Sequence, residues 1–474
     1  MGAIATGGGG SSSLQPAALV LDVPRTQERM RSRRENRGQP SAVSIPFAGL
    51  APLLQACGRQ VMLRRQPESD GFEGFVDFET SRRLDRRQIE ADLQALGLHR
   101  IPAGDEGPKA ETFCGWVGFF GYEWLCALQG IECRAPRDIE GIPDGLFARP
   151  NVRWVIRDDR VDLYGQDPRR VAEWSERLAS RMAAERALVD SPAGSSPTVN
   201  CDLAMYEQMF GQAQEALRKG ETYQIKLSIR HRAAAPDPES AFARLMERNP
   251  APEAFYLRWD DFALVSCSPE MVIDLRGKTL ATRPIGGTFP READIAPAQL
   301  RSAFAADGKE SAEHNMLIDL ERNDLNRVCR SGSVQITHLR EVESYAHVHH
   351  LVTRIAGEVH PTVSQADILR ALLPGGSIIG CPKYRSIELI DQWEPSFRGP
   401  YTGSFGTIAD DGDLRFNLII RTLLIQGRYG YVQAGGGIVI QSNAAYEYRE
   451  NLLKGRALLD LLEVTGDLEN GPSA

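Results

Sequence analysis

The stretch YQIKLSIR, residues 223–230, alternates apolar and polar side chains without a break. Alternation with a period of two predicts a β-strand whose two faces meet different surroundings. Tyr223, Ile225, Leu227 and Ile229 fall on one face, and Gln224, Lys226, Ser228 and Arg230 on the other. LRFNLIIRTLLI (414–425) and YGYVQAGGGIVI (429–440) predict two further long strands. MVIDLRGKTLAT (271–282) predicts a hairpin that turns at Arg276–Gly277 and sets Glu270 opposite Arg283. Apolar residues at helical spacing mark Leu84–Leu96, then Val171, Trp174, Leu178 and Met182, then Tyr206, Met209, Phe210, Ala213 and Leu217. Strands interleaved with a few long helices make the fold class α+β.

The chain has 474 residues, 42% hydrophobic and 25% charged, which suits a large buried core and excludes disorder for most of it. A net charge of −8 offers no basic footprint for nucleic acid, and the cluster RTQERMRSRRENR is confined to the N-terminal tail. No run of about 18 apolar residues exists. The Gly/Ser-rich start lacks the charged-then-apolar order of a secretory signal, so no membrane partner and a cytoplasmic location are expected. Eight cysteines without a CxxC pair predict reduced thiols. Composition divides the chain into an extension (1–40), an N-terminal sheet region (41–188), a linker (189–200) and a chemistry-bearing region (201–467).

Within that last region, KESAEHNMLIDLERND (309–324) predicts a helix on which Glu310 and Glu313 share a stripe with Leu317 and Leu320. NAAYEYRENLLKGRALLDLL (443–462) repeats the device, with Glu447 and Glu450 in line with Lys454, Ala457 and Leu461. Carboxylates on two inward stripes suit a hard divalent cation such as Mg²⁺; the alternative is a pair of solvated helix faces. PGGSIIG (374–380) and AGGGIV (434–439) let backbone N–H groups approach an anion, or else form tight turns or bulges. Arg421 is a candidate carboxylate clamp or a surface residue. Glu270, after SCSP, is a candidate acid/base group or the partner of Arg283.

Together these segments resemble the chorismate-utilising enzymes, meaning anthranilate synthase component I and aminodeoxychorismate synthase component I. The matching strings run in order over residues 115–460: GWVGFFGYE, YQIKLS, SPE, TRPIGGTFPR, EHNMLIDLERNDLNRV, VHHL, PGGSIIGCPK, RGPYTGSFG and AGGGIV. The resemblance implies large antiparallel sheets in a sandwich flanked by helices. It implies that Glu310, Glu313, Glu447 and Glu450 hold Mg²⁺, that Glu270 helps expel the C4 hydroxyl of chorismate, and that His350 lies near the ring. Arg421, Gly436 and Gly437 match positions expected to hold substrate carboxylates, and Gly286, Thr288 and Lys454 are grouped with the substrate-binding positions. The chemistry agrees, since adding a nucleophile at ring C2 while C4 loses water needs an acid at C4 and a cation on the C1 carboxylate.

Gln224 stands where water-adding members have a base lysine, which points to amination. Gly286 stands where aminodeoxychorismate synthases commonly have a lysine that bonds C2 and where anthranilate synthases have alanine. A glycine there is expected to leave room for ammonia, a water or the Lys226 ammonium. Lys226 occupies a place where relatives tend to have Asn or an apolar residue; it is a candidate amine or base, or else a salt-bridged strand lysine. PGGSIIG and VHHL resemble the aminodeoxychorismate group, whereas Ile379 and Cys381 depart from its usual pattern. The implied reaction is amination of chorismate to 4-amino-4-deoxychorismate by ammonia from a separate glutamine amidotransferase subunit, Cys114 lacking the context of a glutaminase nucleophile. The alternatives are anthranilate or 2-amino-2-deoxyisochorismate as product, or a chorismate-binding paralogue without turnover.

Overall fold

The computed structural model describes residues 41–46, 49–66, 71–101, 113–157, 159–183, 197–290, 297–306, 308–344 and 348–464. Strands pair antiparallel throughout these residues. Gln60–Arg65 pairs with Phe255–Trp259, and Gly115–Phe120 with Ser404–Ala409, so the regions on either side of residues 189–200 share one hydrogen-bonded sheet. Of those linker residues, Thr198 and Val199 form a short strand against Arg232 and His231, and 189–196 lie outside the described residues.

The apolar core has three parts. One is built from strands and loops alone, including Met62, Phe75, Val117, Phe119, Phe262 and the stacked rings of Phe255 and Phe405, 4.2 Å apart. The other two lie between strands and helices, one around Trp174 and Phe242, the other around Trp124, Tyr206 and Leu325. A strand-only layer between two helix-covered layers is a sandwich flanked by helices, the expected α+β architecture.

Six strands and three helices carry the site: β1 (Gln224–Ala234), β2 (Met271–Arg276), β3 (Thr279–Thr282), β4 (Ile285–Pro290), β5 (Val348–Glu358) and β6 (Tyr429–Ile438), with α1 (Gly308–Asn326), α2 (Lys383–Trp393) and α3 (Ala444–Leu459). The alternation of YQIKLSIR does form β1, though Tyr223 stays outside it, 66% exposed. Gln224, Ser228 and Arg230 are buried as well as Ile225, Leu227 and Ile229, because helices cover one face and the neighbouring layer the other.

Three local expectations are corrected. The helix drawn over Leu84–Leu96 is confined to Ile89–Ala95, since Asp85 accepts hydrogen bonds from the Arg87 backbone and guanidinium and holds the chain in a turn. The β2–β3 hairpin turns one residue later, with Arg276 opposite Thr279 and Gly277 at φ 58, a left-handed value that glycine adopts at no steric cost. Arg283 therefore donates its N–H to the Met271 carbonyl and directs its guanidinium to Glu343 at 3.1 Å rather than to Glu270. Finally, the long strand around Arg421 is two, Leu414–Leu418 and Thr422–Gln426, separated where Arg421 takes φ 48.

Beneath β1 lies a buried ion pair. Arg398 donates to Glu394 at 2.9 and 2.7 Å and to the Lys226 carbonyl at 2.8 Å, while its own N–H reaches Glu123 at 2.7 Å. Glu394 also accepts from the Ser228 N–H and hydroxyl at 2.9 and 2.8 Å. Removing one partner of a buried pair leaves the other charge without compensation, at about 3–5 kcal/mol. Arg398→Met should lower the unfolding free energy from a urea titration by about 3–5 kcal/mol; a free energy unchanged from wild type would show that β1 is held by other contacts.

Candidate active site

β1 and β6 lie side by side from Ile225↔Ile438 to Ala234↔Tyr429, with Lys226 opposite Gly437 and Leu227 opposite Gly436. The AGGGIV glycines are thus mid-strand rather than in a turn. Their missing side chains admit neighbours: a Cβ at Gly437 would stand 2.6 Å from Lys226 Nζ and 2.7 Å from Gln224 Nε2. At Gly436 it would meet Asn451 Oδ1 at 2.8 Å and Glu447 Oε2 at 3.3 Å. Gln224 is 1% exposed, and its Oε1 has no hydrogen-bond partner among the described residues. Lys226 is half-buried; burial pulls its ammonium below the usual lysine range and Lys454 adds to this, while Glu313, Glu450 and Glu270 oppose it.

Glu270 precedes β2, and its backbone carbonyl accepts from the Leu418 N–H at 3.0 Å. Its buried carboxyl takes a 2.6 Å hydrogen bond from Ser377 Oγ. Burial raises its pKa, and the Ser377 bond, Lys226, Arg421 and Arg283 offset only part of the rise. Ser377 belongs to PGGSIIG, where the glycines drew attention and the serine did not. That segment packs on α1: a Cβ at Gly376 would lie 2.1 Å from Leu320 Cδ2.

His350, on β5 opposite Thr288 of β4, is buried, and its pKa is pushed down to about 3 by burial and then by Arg421, Arg283 and His349. It is a neutral imidazole. The Thr288 side chain lies outside the described residues. Arg421 is half-buried at the strand break, where its backbone carbonyl accepts from the Cys267 N–H at 3.1 Å. Glu270, Lys226, Arg421 and His350, from four separate segments, thus fall within one electrostatic neighbourhood.

The acids come from two helices. Asn443 caps α3 by accepting from the Tyr446 N–H at 3.1 Å, which puts Glu447 in the first turn, where the helix dipole favours a negative charge. Glu447 is buried; Glu450 is half-exposed and paired with Lys454 at 2.5 Å. On α1 the inward stripe is His314, Ile318, Glu321 and Leu325, while Glu313, Leu317 and Leu320 are half-buried, so the helix is turned from the expected stripe. The Glu310 side chain lies outside the described residues. Among the described residues no three His, Cys, Asp or Glu side chains converge on one point as they stand.

Gly286 is not beside open space, as had been expected. A Cβ there would stand 2.4 Å from His314 Cγ and Nδ1, so the imidazole already fills the direction a side chain would take. Sequence reasoning also missed a buried cluster below Glu270. There Glu321 accepts from Thr282 Oγ1 at 3.0 Å and Asp324 pairs with Lys383 at 2.8 Å. Burial and the neighbouring Asp324 push Glu321 up to about 8, so it carries a proton at neutral pH. The only signal was the acid spacing inside DLERND.

A profile of the family described as chorismate binding enzyme matches residues 58–460. An anthranilate synthase component I-like protein of Synechocystis sp. is 36% identical over 358 residues, covering 74% of this chain and 73% of that one. The chain belongs to the chorismate-binding enzymes. Aminodeoxychorismate synthase component 1 of Bacillus subtilis is 34% identical over 368 residues, 74% of this chain and 77% of its own. The solved anthranilate synthase component I of Streptococcus pneumoniae superposes with a TM-score of 0.67 at 23% identity, covering 91% of this chain and 95% of that one, which establishes the fold.

For this chorismate-binding enzyme, the β1–β6 contact yields a separable prediction. The atoms crowding Gly437 are ends of flexible side chains, so Gly437→Ala should displace Lys226 and Gln224 at little cost to the strand. The unfolding midpoint should stay near wild type while chorismate binding, followed by fluorescence titration, weakens at least tenfold. Unaltered binding would remove both side chains from the substrate site.

Proposed function

We propose that this chorismate-utilising enzyme, of the aminodeoxychorismate and anthranilate synthase component I type, aminates chorismate to 4-amino-4-deoxychorismate. Ammonia comes from a separate glutamine amidotransferase subunit. The observation that carries the reading is the pairing of Gln224 Nε2 and Lys226 Nζ over Gly437, with the Glu270 carboxyl pushed toward its protonated form by burial in the same neighbourhood. Burial favours the free amine of Lys226, which is the nucleophilic form.

In the first step the Lys226 lone pair bonds ring C2, the two ring double bonds shift, and the C4–O bond breaks as Glu270 protonates the departing oxygen to give water. Ammonia then bonds C4, the double bonds shift back, and the C2–N bond to Lys226 breaks with its electron pair returning to the amine. The proton released by the incoming ammonia returns to Glu270. The sum is chorismate plus ammonia to 4-amino-4-deoxychorismate plus water. Neutral His350 and the Arg421 guanidinium orient the ring and its carboxylates.

The donor chemistry fits Mg²⁺: hard carboxylate oxygens from α1 and α3, with Glu313 and Glu450 both acting on the one Lys226 ammonium. Glu313, Glu447 and Glu450, with Glu310, would hold the ion, which when bound neutralises the substrate's C1 carboxylate. Glu450 must then exchange its present partner, Lys454.

A second reading has a specific observation behind it. With Gly286 closed by His314, and if Lys226 does not attack, ammonia adds directly at C2 and the product is 2-amino-2-deoxyisochorismate or anthranilate. Purified protein with chorismate, ammonium and Mg²⁺, run beside a chelator control, separates the two. The first reading expects a 4-amino product lost on chelation and abolished by Lys226→Ala, with a transient wild-type mass gain of chorismate less water. A silent Lys226→Ala with a 2-amino product transfers the assignment to the second reading.

The pH profile tests Glu270. The Ser377 hydrogen bond favours its carboxylate, so deleting it raises a pKa that burial has already raised. Activity needs the protonated acid and fails as pH rises through that pKa. Ser377→Ala should therefore move the alkaline limb of the rate profile to higher pH. A limb that stays put would assign it to another group.

A further inference from the structure

His314 sits one residue past Glu313, and its imidazole turns away from the acids toward β4. It is 1% exposed. Its Nε2 is 2.8 Å from Thr353 Oγ1 on β5, and that oxygen also accepts the Arg340 N–H at 3.1 Å. The Phe304 ring stands edge-on to it, 5.9 Å between centroids at 86°. Held on these sides, the ring cannot yield to β4 without breaking the Thr353 contact. Rotation about its own bonds brings only part of the relief, because His314 Cβ itself would be 2.9 Å from a Cβ at position 286. That atom is fixed by the backbone of α1. On the other side, Gly286 is fixed by its pairing with Leu351 of β5. Two elements therefore face each other across one imidazole, whose ring atoms make the two closest of the three contacts.

We propose that His314 is a specificity-determining positioning residue: its ring closes position 286 to any side chain, so that an amine attacking from the protein must come from β1 and not from β4. The pair Gly286–His314 also sets the spacing between β4 and α1, the helix that bears Glu313. The assignment of the attacking amine rests on the reading above, whereas the steric pairing stands without it.

The test is a double-mutant cycle read by thermal unfolding, then by mass mapping. Gly286→Ala alone forces contacts of 2.4 Å and should lower the melting midpoint. In Gly286→Ala/His314→Ala only the 2.9 Å contact to Cβ remains, so the combined loss should fall well short of the sum of the single losses. Losses that simply add would overturn the pairing. For the chemistry, each variant is mixed with chorismate and Mg²⁺, quenched in acid and digested. A gain of chorismate less water on the peptide bearing position 286 is expected from Gly286→Lys/His314→Ala and not from Gly286→Lys. An adduct there in the single variant would show that His314 does not close the position. If neither wild type nor any variant forms an adduct, the Lys226 mechanism fails, and the melting cycle alone decides the role of His314.

Discussion

The buried pair of Arg398 and Glu394 is the contact on which the site's geometry depends. A charge withdrawn from water is tolerated only where its hydrogen-bonding capacity is met, and here it is met by the chain that matters for chemistry. The Arg398 fork takes the Lys226 carbonyl, and Glu394 takes the Ser228 N–H and hydroxyl, so β1 is anchored at the residue whose side chain reaches over Gly437 and again two residues later. The Arg398 N–H reaches across to Glu123, tying in the helix Tyr122–Leu128. Because so many donors and acceptors share two side chains, the strand has little freedom to slide.

On that fixed strand, the site is built by subtraction. Gly437 leaves space for the ends of Lys226 and Gln224, Gly436 for Asn451 and Glu447, Gly376 for Leu320, and Gly286 for His314. Each glycine is a place where another element comes closer than a Cβ would permit. The outcomes differ in kind: at Gly437 polar tips gather, whereas at Gly286 the His314 imidazole and its Cβ shut the space. The same residue type thus opens one wall of the site and seals another.

Electrostatics follow from burial more than from contact. Glu270 and Glu321 are driven toward the protonated form, and Lys226, His314 and His350 toward the neutral form, in every case with desolvation as the leading cause. Burial thus favours the uncharged forms of acid, amine and imidazole alike. The two serine and threonine hydroxyls that touch the acids, Ser377 on Glu270 and Thr282 on Glu321, lie in segments noticed for other features.

The sequence by itself determined the local terms: the alternation that makes β1, the helices that carry Glu313 and Glu447, and the α+β class. These depend on residues within one or two turns of each other, so period suffices to read them. It could not determine what faces a glycine, because the neighbour comes from elsewhere in the chain; His314 and Gly286 are 28 residues apart by number and meet only when α1 packs on β4. Nor could it determine the break at Arg421, the turn at Gly277–Lys278 or the inward face of α1. Those were decided by tertiary structure, since turn position, strand ends and helix rotation respond to packing that outweighs a residue or two of local preference.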